Sequence, residues 1–527
     1  MLESRDPATG EVISSVTETE PGAVQAVVAD AAFVQPFWAD LPLAARARYL
    51  RRAAQVVLDN LDELARLIAR ERGMPLTETL SLELLPSVHG LRWIADQGEK
   101  VLADERVAPG QPVLLHKRSR VVNEPLGVVA IITSFAHPWS VPMLEAATAL
   151  MCGNAVVIKP AALTPLTGDR VQAVLERAGV PRGLVRMVHG GRPVGDALVG
   201  SGVAKVFFAG ATAEGREVGR ACAGAGKGAV LQLSGKDAQV VLADAPLDHA
   251  VAGGLWGAFA GGGQTGFSIE RVYVLSAVAE RFTDALVEGA ERLRLGGPGH
   301  WDTEIGPLAS PDDGPRLEAL LDEAVAAGAT LRCGGPRVVK GVSGSFFAPA
   351  VLTGVPAHTR LAREETFGPM VCVTPVDSEE DALSLMADSP YGRAASVWTA
   401  DRARGERMGR LIAAGSVWVN DHGFSHGSVE FPWSGTKDSG FGRSRSRVGF
   451  LEYVRVKHLS WDPSFGRNPW WHPYDEALGE AMRAYAQLLH GRDADKREAL
   501  RRGAAPLARV AQRSLKGLIG APRGARR

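Results

Sequence analysis

From Arg120 onward the chain alternates short apolar runs with helix-patterned stretches, and that alternation restricts the fold more than any other feature. VVAIIT, AVVIK, VRMVHG, KVFFAG and GAVLQLSG end in or near Gly, Pro or Thr, with helical periodicity between most of them. Continuous apolar runs of this length read as strands buried on both faces. A strand–helix–strand order then demands parallel pairing with crossover helices. A second set follows: AQVVLAD, ERVYVLSA, the helix AERFTDALVEGAERLRL, a helix near Arg316 to Ala327, and VCVTPV. Two consecutive α/β units predict a two-domain enzyme whose ligands lie at the carboxyl ends of strands, near the cleft.

Upstream, alanine, leucine and arginine repeat with helical spacing from Leu41 to Arg72, and Gly73 supplies a stop. The pattern returns from Leu80 to Ala103, with a kink or break expected at Pro86. Apolar residues make up 46% of the 527, which excludes disordered and fibrous chains. Lys plus Arg and Asp plus Glu are 59 each, so nothing global points to nucleic acid or a polyanion. The longest apolar stretch, Leu126 to Phe135, is far short of the ~20 residues needed to cross a bilayer. MLESRDPATGEV has no basic segment leading into an apolar run, so no secretory signal is expected. Cys152, Cys222, Cys333 and Cys372 are scattered without metal-ligand spacing. A cytoplasmic chain with no metal site is the expectation.

The last residues depart from this neutrality. From Gly491 onward there are eleven basic residues against three acidic ones, and Leu507, Val510, Leu515, Leu518 and Ile519 are spaced loosely like one helical face. A basic amphipathic helix can rest on anionic lipid or dock on a partner, so membrane-surface contact through 491–527 is a secondary expectation. A solvated, partly disordered tail is the favoured one. Before it, Trp470-Trp471 with Pro469 and Pro473 nearby reads as an extended segment pinned by aromatic burial.

Glycine clusters carry little chemistry by themselves. Gly224, Gly226 and Gly228 precede a strand, whereas a pyrophosphate-binding turn follows one. Gly261-Gly262-Gly263 reads as a tight turn or hinge.

Several segments in fixed order nevertheless resemble one family, the NAD(P)-dependent aldehyde dehydrogenases. They are Asp6 to Glu11 (DPATGE), Pro125 to Val129 with Pro138-Trp139, Ile158-Lys159-Pro160 through Pro165, and Phe208 to Arg216. Leu231 to Lys236 (LQLSGK), Gly263-Gln264 through Val274, Glu364 to Pro369 and Ser434 to Arg443 complete the set. SIERVYV and Asn468 to Tyr474 look most like a branch that includes bacterial succinate-semialdehyde dehydrogenases with a C-terminal extension. The resemblance implies an α/β aldehyde dehydrogenase fold: a Rossmann-like nucleotide-binding domain, an α/β catalytic domain and a small oligomerisation β-flap. The expected divisions are 1–235 for nucleotide binding, with flap strands near 114–123, and 236–429 for catalysis. Residues 430–461 would return to the first domain and supply a flap strand, and 462–527 would form the extension.

In this family, the resemblance implies, a cysteine thiolate attacks the carbonyl, backbone N–H and an asparagine amide hold the oxyanion, and a glutamate activates water. Gly266 stands at the nucleophile position, Gln232 at the general base and Ser140 at the amide donor. Thr265 and Ser268 are the neighbouring hydroxyls. Removing a nucleophile in another enzyme costs ~10⁶ in rate, so the thioester chemistry should be gone.

The cofactor positions implied are Lys159, Ala162, Gly210, Ala211, Gly215, Glu365 and Phe367. Ala162 replaces an acid on the adenosine ribose and Ala211 a hydroxyl in the phosphate turn, which leaves NAD or NADP binding open. Loss of the acid tilts it towards NADP. Three functions fit. The first is a degenerate homologue kept for assembly, for regulating an active partner or for binding a ligand. The second is an NAD(P)-dependent oxidoreductase acting on an aldehyde, semialdehyde-like, by altered chemistry. The third is a docking module working through the tail. Assembly as a homo-oligomer, dimer or tetramer, or with an active homologue is implied, and no nucleic acid.

Overall fold

The computed structural model describes residues 1–463, 468 and 470–519. Two parallel-rich sheets form the framework. The first has six strands in the order Gly440–Phe441, Gly228–Gln232, Lys205–Ala209, Val128–Ile132, Ala155–Lys159, Val185–Met187. Its four longest members pair in parallel, Val129 opposite both Val156 and Lys205. Every residue of Val128–Ile132 and of Ala155–Lys159 is buried, as expected of β-branched runs covered by helices on both faces.

The second sheet has seven strands: Thr330–Arg337, Phe346–Thr353, Met370–Val376, Ile269–Leu275, Asp237–Val241, Ala394–Trp398, Ser416–Val419. Only the edge pair, Thr330–Arg337 with Phe346–Thr353, is antiparallel. Strand Gly440–Phe441 joins the first sheet against Leu231 and Gln232, so the chain returns to it after completing the second.

Before the sheets, the long helical stretch is two helices, Leu43–Asp59 and Leu61–Arg72, with Gly73 left-handed (φ 77°) at the close. Ala47, Leu50, Ala54 and Val57 form the buried stripe of the first, at helical spacing. Pro86 does not kink its helix. It occupies the first turn of Leu85–Val101, where its missing N–H costs nothing. The irregularity lies just upstream, in a π-helical turn over Thr79–Leu84 that carries Glu83.

Residues 1–103 with 123–455 form one compact unit, and 104–122 with the described residues from 456 to 519 another. A three-stranded sheet runs Val454–Trp461, Arg118–Pro125, Glu105–Arg106. The strand expected near 114–123 begins at Arg118, and Pro112–Leu114 is a 3-10 turn.

The expected disordered tail is corrected over its described part, which is helical. Glu476–His490 and Asp493–Ile519 form a helix pair. Leu478, Ala481 and Val510 are buried between them, and a Cβ on Gly503 would lie 2.2 Å from the Ala484 Cβ. Trp470 lines an apolar cavity with Val113, Leu114, Tyr485 and Leu507, whereas Trp471 is exposed. Pro469 and residues 520–527 lie outside the described residues. Among the described residues, no helix is long and apolar enough to cross a membrane.

Candidate active site

A cavity of about 500 Å³ lies where the first sheet's strands end. Thr133 to His137 follow Val128–Ile132, Ala161 follows Ala155–Lys159, Gly210 and Ala211 follow Lys205–Ala209, and Leu233 and Ser234 follow Gly228–Gln232. The opposite wall comes from residues just ahead of second-sheet strands: Gly266 and Phe267, Glu365 and Phe367, and Arg393. Parallel pairing aligns strand ends, which is why segments distant in sequence converge here. Lys159, Gly210, Ala211, Gln232, Gly266, Glu365 and Phe367 all line this one cavity.

Gly261, Gly262 and Gly263, with φ near 60°, make the turn that delivers Gly266 to the wall. A Cβ on Gly263 would stand 2.3 Å from the Gly368 carbonyl oxygen, so only glycine fits. Arg72 fastens the turn by donating to the carbonyls of Gly261 and Gln264.

At Gly266 the space that a side chain would take holds the Arg393 guanidinium. A Cβ built there would meet Arg393 Nε at 2.8 Å, Cζ at 2.9 Å and Nη2 at 3.0 Å. Arg393 Nη1 donates to the Leu233 carbonyl (2.8 Å), its Nε is buried without a partner, and Trp433 lies under the guanidinium. No sulfur lines the cavity. All four cysteines are buried elsewhere, and burial raises each thiol, Cys372 to about 11. Neither neighbouring hydroxyl lines the cavity: Ser268 donates to the Ala258 carbonyl, and Thr265 is buried away from it.

Gln232 lines the cavity but donates its amide to Ser444 Oγ at 2.6 Å. Ser140 does not reach the cavity, against expectation. It opens helix Ser140–Met151, its Oγ is buried without a partner, and its N–H donates to Glu83 Oε2 at 2.7 Å. Trp139 N–H donates to the same oxygen. Gly215 also stands outside the lining: its absent Cβ makes room for Leu233. Ala162 is half-buried and likewise outside it.

Sequence reasoning missed a polar cluster at the same end of the cavity. Glu83 Oε1 bonds His137 Nδ1 at 2.6 Å, and the His137 and His426 rings lie 4.0 Å apart. His137 Nε2 and both ring nitrogens of His426 are buried without side-chain partners. Burial above all, then the charges of His137, Arg445 and Arg393, holds His426 neutral, well below the usual imidazole range. Glu83, His137 and His426 present ligand atoms within 4.8 Å of one another, a grouping that can accept a metal ion. However, Glu83 already accepts from two backbone N–H groups and an imidazole. No motif spacing links positions 83, 137, 393 and 426, and each residue in isolation reads as structural.

The nucleotide side fits a dinucleotide in part. Lys159 is buried, makes only a 3.4 Å bond to the Pro160 carbonyl, and faces the cavity beside Gly195. Gly210 and Ala211 precede the N-terminus of the 13-residue helix Thr212–Gly224, which favours an anion. Across the cavity, Glu365 accepts from Gly235 N–H, and burial pushes its carboxyl up to about 7. Phe367 is held left-handed (φ 46°) because Glu270 accepts the N–H groups of Thr366 and Phe367. Lys236 pairs with Glu270 at 2.6 Å, both fully buried.

Cavity, strand order and turn chemistry define a nucleotide-binding fold of the aldehyde dehydrogenase type. The chain belongs to the aldehyde dehydrogenase family, whose family model matches residues 1–459. It is 34% identical over 459 residues to betaine aldehyde dehydrogenase of Agrobacterium fabrum, covering 86% of this chain and 92% of that one. The NAD+ complex of an aldehyde dehydrogenase from Bacillus cereus superposes with a TM-score of 0.83 at 31% identity, covering 88% of this chain and 93% of the other. An NADP-dependent enzyme of E. coli gives 0.83 and 31%, with coverage of 87% and 94%.

Proposed function

We propose that this family member does not oxidise aldehydes through a cysteine thioester and keeps its cavity as a ligand-binding site. The observation that carries this reading is the guanidinium of Arg393 lying against Gly266, where the nucleophile's side chain would project. Gln232, turned onto Ser444, supports it, because an amide cannot accept the proton of a hydrolytic water.

NAD or NADP is the expected co-ligand. Lys159 would hold the adenosine ribose or a 2′-phosphate, the turn at Gly210 and Ala211 the pyrophosphate, and Glu365 with Phe367 the nicotinamide side. When bound, the dinucleotide supplies a hydride acceptor. A second reading, oxidoreductase chemistry on an aldehyde without a thioester, is favoured by His137. Its Nδ1 is fixed on Glu83, and it lines the cavity as a group able to hold or move a proton.

The test is NAD(P)H production by the purified wild type over a panel of aliphatic and semialdehyde substrates. The expected result is no production above background. Turnover by the wild type would overturn the first reading.

A further inference from the structure

Arg393 places a positive charge in the cavity without an ion-pair partner within 4.0 Å among the described residues. Its nearest acidic influences, Asp237 and Glu365, are both pushed towards the protonated form by burial. Arg393 is half-buried, and its buried, unpartnered Nε gains from an anion that meets it. The second cation of this wall, Arg316, is by contrast already paired with Asp313 at 2.9 Å.

Around Arg393 the surroundings are aromatic. Trp433 lies 5.6 Å below its Cζ, His426 is 5.7 Å from Trp433 by ring centres, and Phe267 stacks on His137 at 5.7 Å. A guanidinium with an unpartnered Nε therefore faces a cavity to which Phe267 and Trp433 bring apolar rings, while Gln232, Ser234 and Glu365 also line it. A planar carboxylate suits a guanidinium through charge-assisted hydrogen bonds, and a short alkyl body suits Phe267 and Trp433. A hydrated inorganic anion would gain nothing from those rings.

Resting on the reading that this cavity binds rather than oxidises, we propose that its Gly266 end holds a small aliphatic carboxylate. Arg393 is the charged partner. Gly266 leaves the room that the guanidinium takes there.

Isothermal titration calorimetry of the full chain with butyrate, butyramide and inorganic phosphate tests this. Butyrate should bind at least tenfold tighter than either alternative. Arg393→Gln should lower butyrate affinity at least tenfold, to the level of butyramide. Comparison of butyrate with butyramide on the wild type needs no variant, so a misfolded mutant cannot mask the answer. Equal binding of acid and amide, equal binding of phosphate, or no heat with any of them overturns the proposal. Failure of butyrate binding alongside no aldehyde turnover overturns this inference alone, whereas turnover by the wild type overturns the reading beneath it.

Discussion

A Cβ at position 266 would lie 2.8 Å from Nε of Arg393, so the glycine and the arginine occupy one site between them. Gly266→Ala should therefore cost ~1 kcal/mol, the low end of the range for overpacking, because the atoms displaced are the far end of a flexible side chain beside a cavity. In an Arg393→Leu background the same change should cost clearly less. Denaturant unfolding of the four proteins in a double-mutant cycle measures the coupling. Additive costs would mean that the two residues do not compete for space.

Restoring thioester chemistry should need three changes rather than two. Gly266→Cys with Gln232→Glu returns a nucleophile and a base, but Arg393 still covers the thiol's position. We expect aldehyde-dependent NAD(P)H formation only when Arg393→Leu is added. Turnover by the double variant at the level of the triple would show that the guanidinium swings aside.

Phe367 owes its left-handed backbone to Glu270, and Glu270 owes its charge balance to Lys236. Lys236→Met leaves a carboxylate buried without its cation. The expected loss is ~3–5 kcal/mol in chemical denaturation. An unchanged midpoint would mean that the two N–H groups of Thr366 and Phe367 suffice to hold that charge.

Glu145 gives the fold a pH dependence. Burial raises its carboxyl from 4.5 to about 7, although Tyr453 Oη donates to it at 2.6 Å. Between those values the native chain holds a proton that the unfolded chain has released. Stability therefore falls as pH rises from about 4.5 to about 7, and this contribution is lost above that. Glu145→Gln should flatten the decline in thermal midpoint across the window. Glu78 and Glu365, also raised to about 7, keep the remaining slope. A decline as steep as that of the wild type would remove Glu145 as its source.

Periodicity and residue order determined the strands, the crossover helices, the family and the absence of a cysteine at position 266. The strands are legible because both their faces are covered, so their residues run apolar without a break, and the helices because burial repeats every 3.6 residues. Lys159, Gln232, Glu365 and Phe367 could be named from their motifs, because the turns that carry them are local. Ser140 stands outside the cavity lining, and its position at a helix start does not say that Glu83, 57 residues earlier, takes its N–H. Tertiary structure alone decided that Arg393 fills the place beside Gly266 and that His137 and His426 stand at the same end of the cavity. Those meetings depend on which strand ends align when two sheets close on a common cavity, and no local pattern in the chain records that alignment.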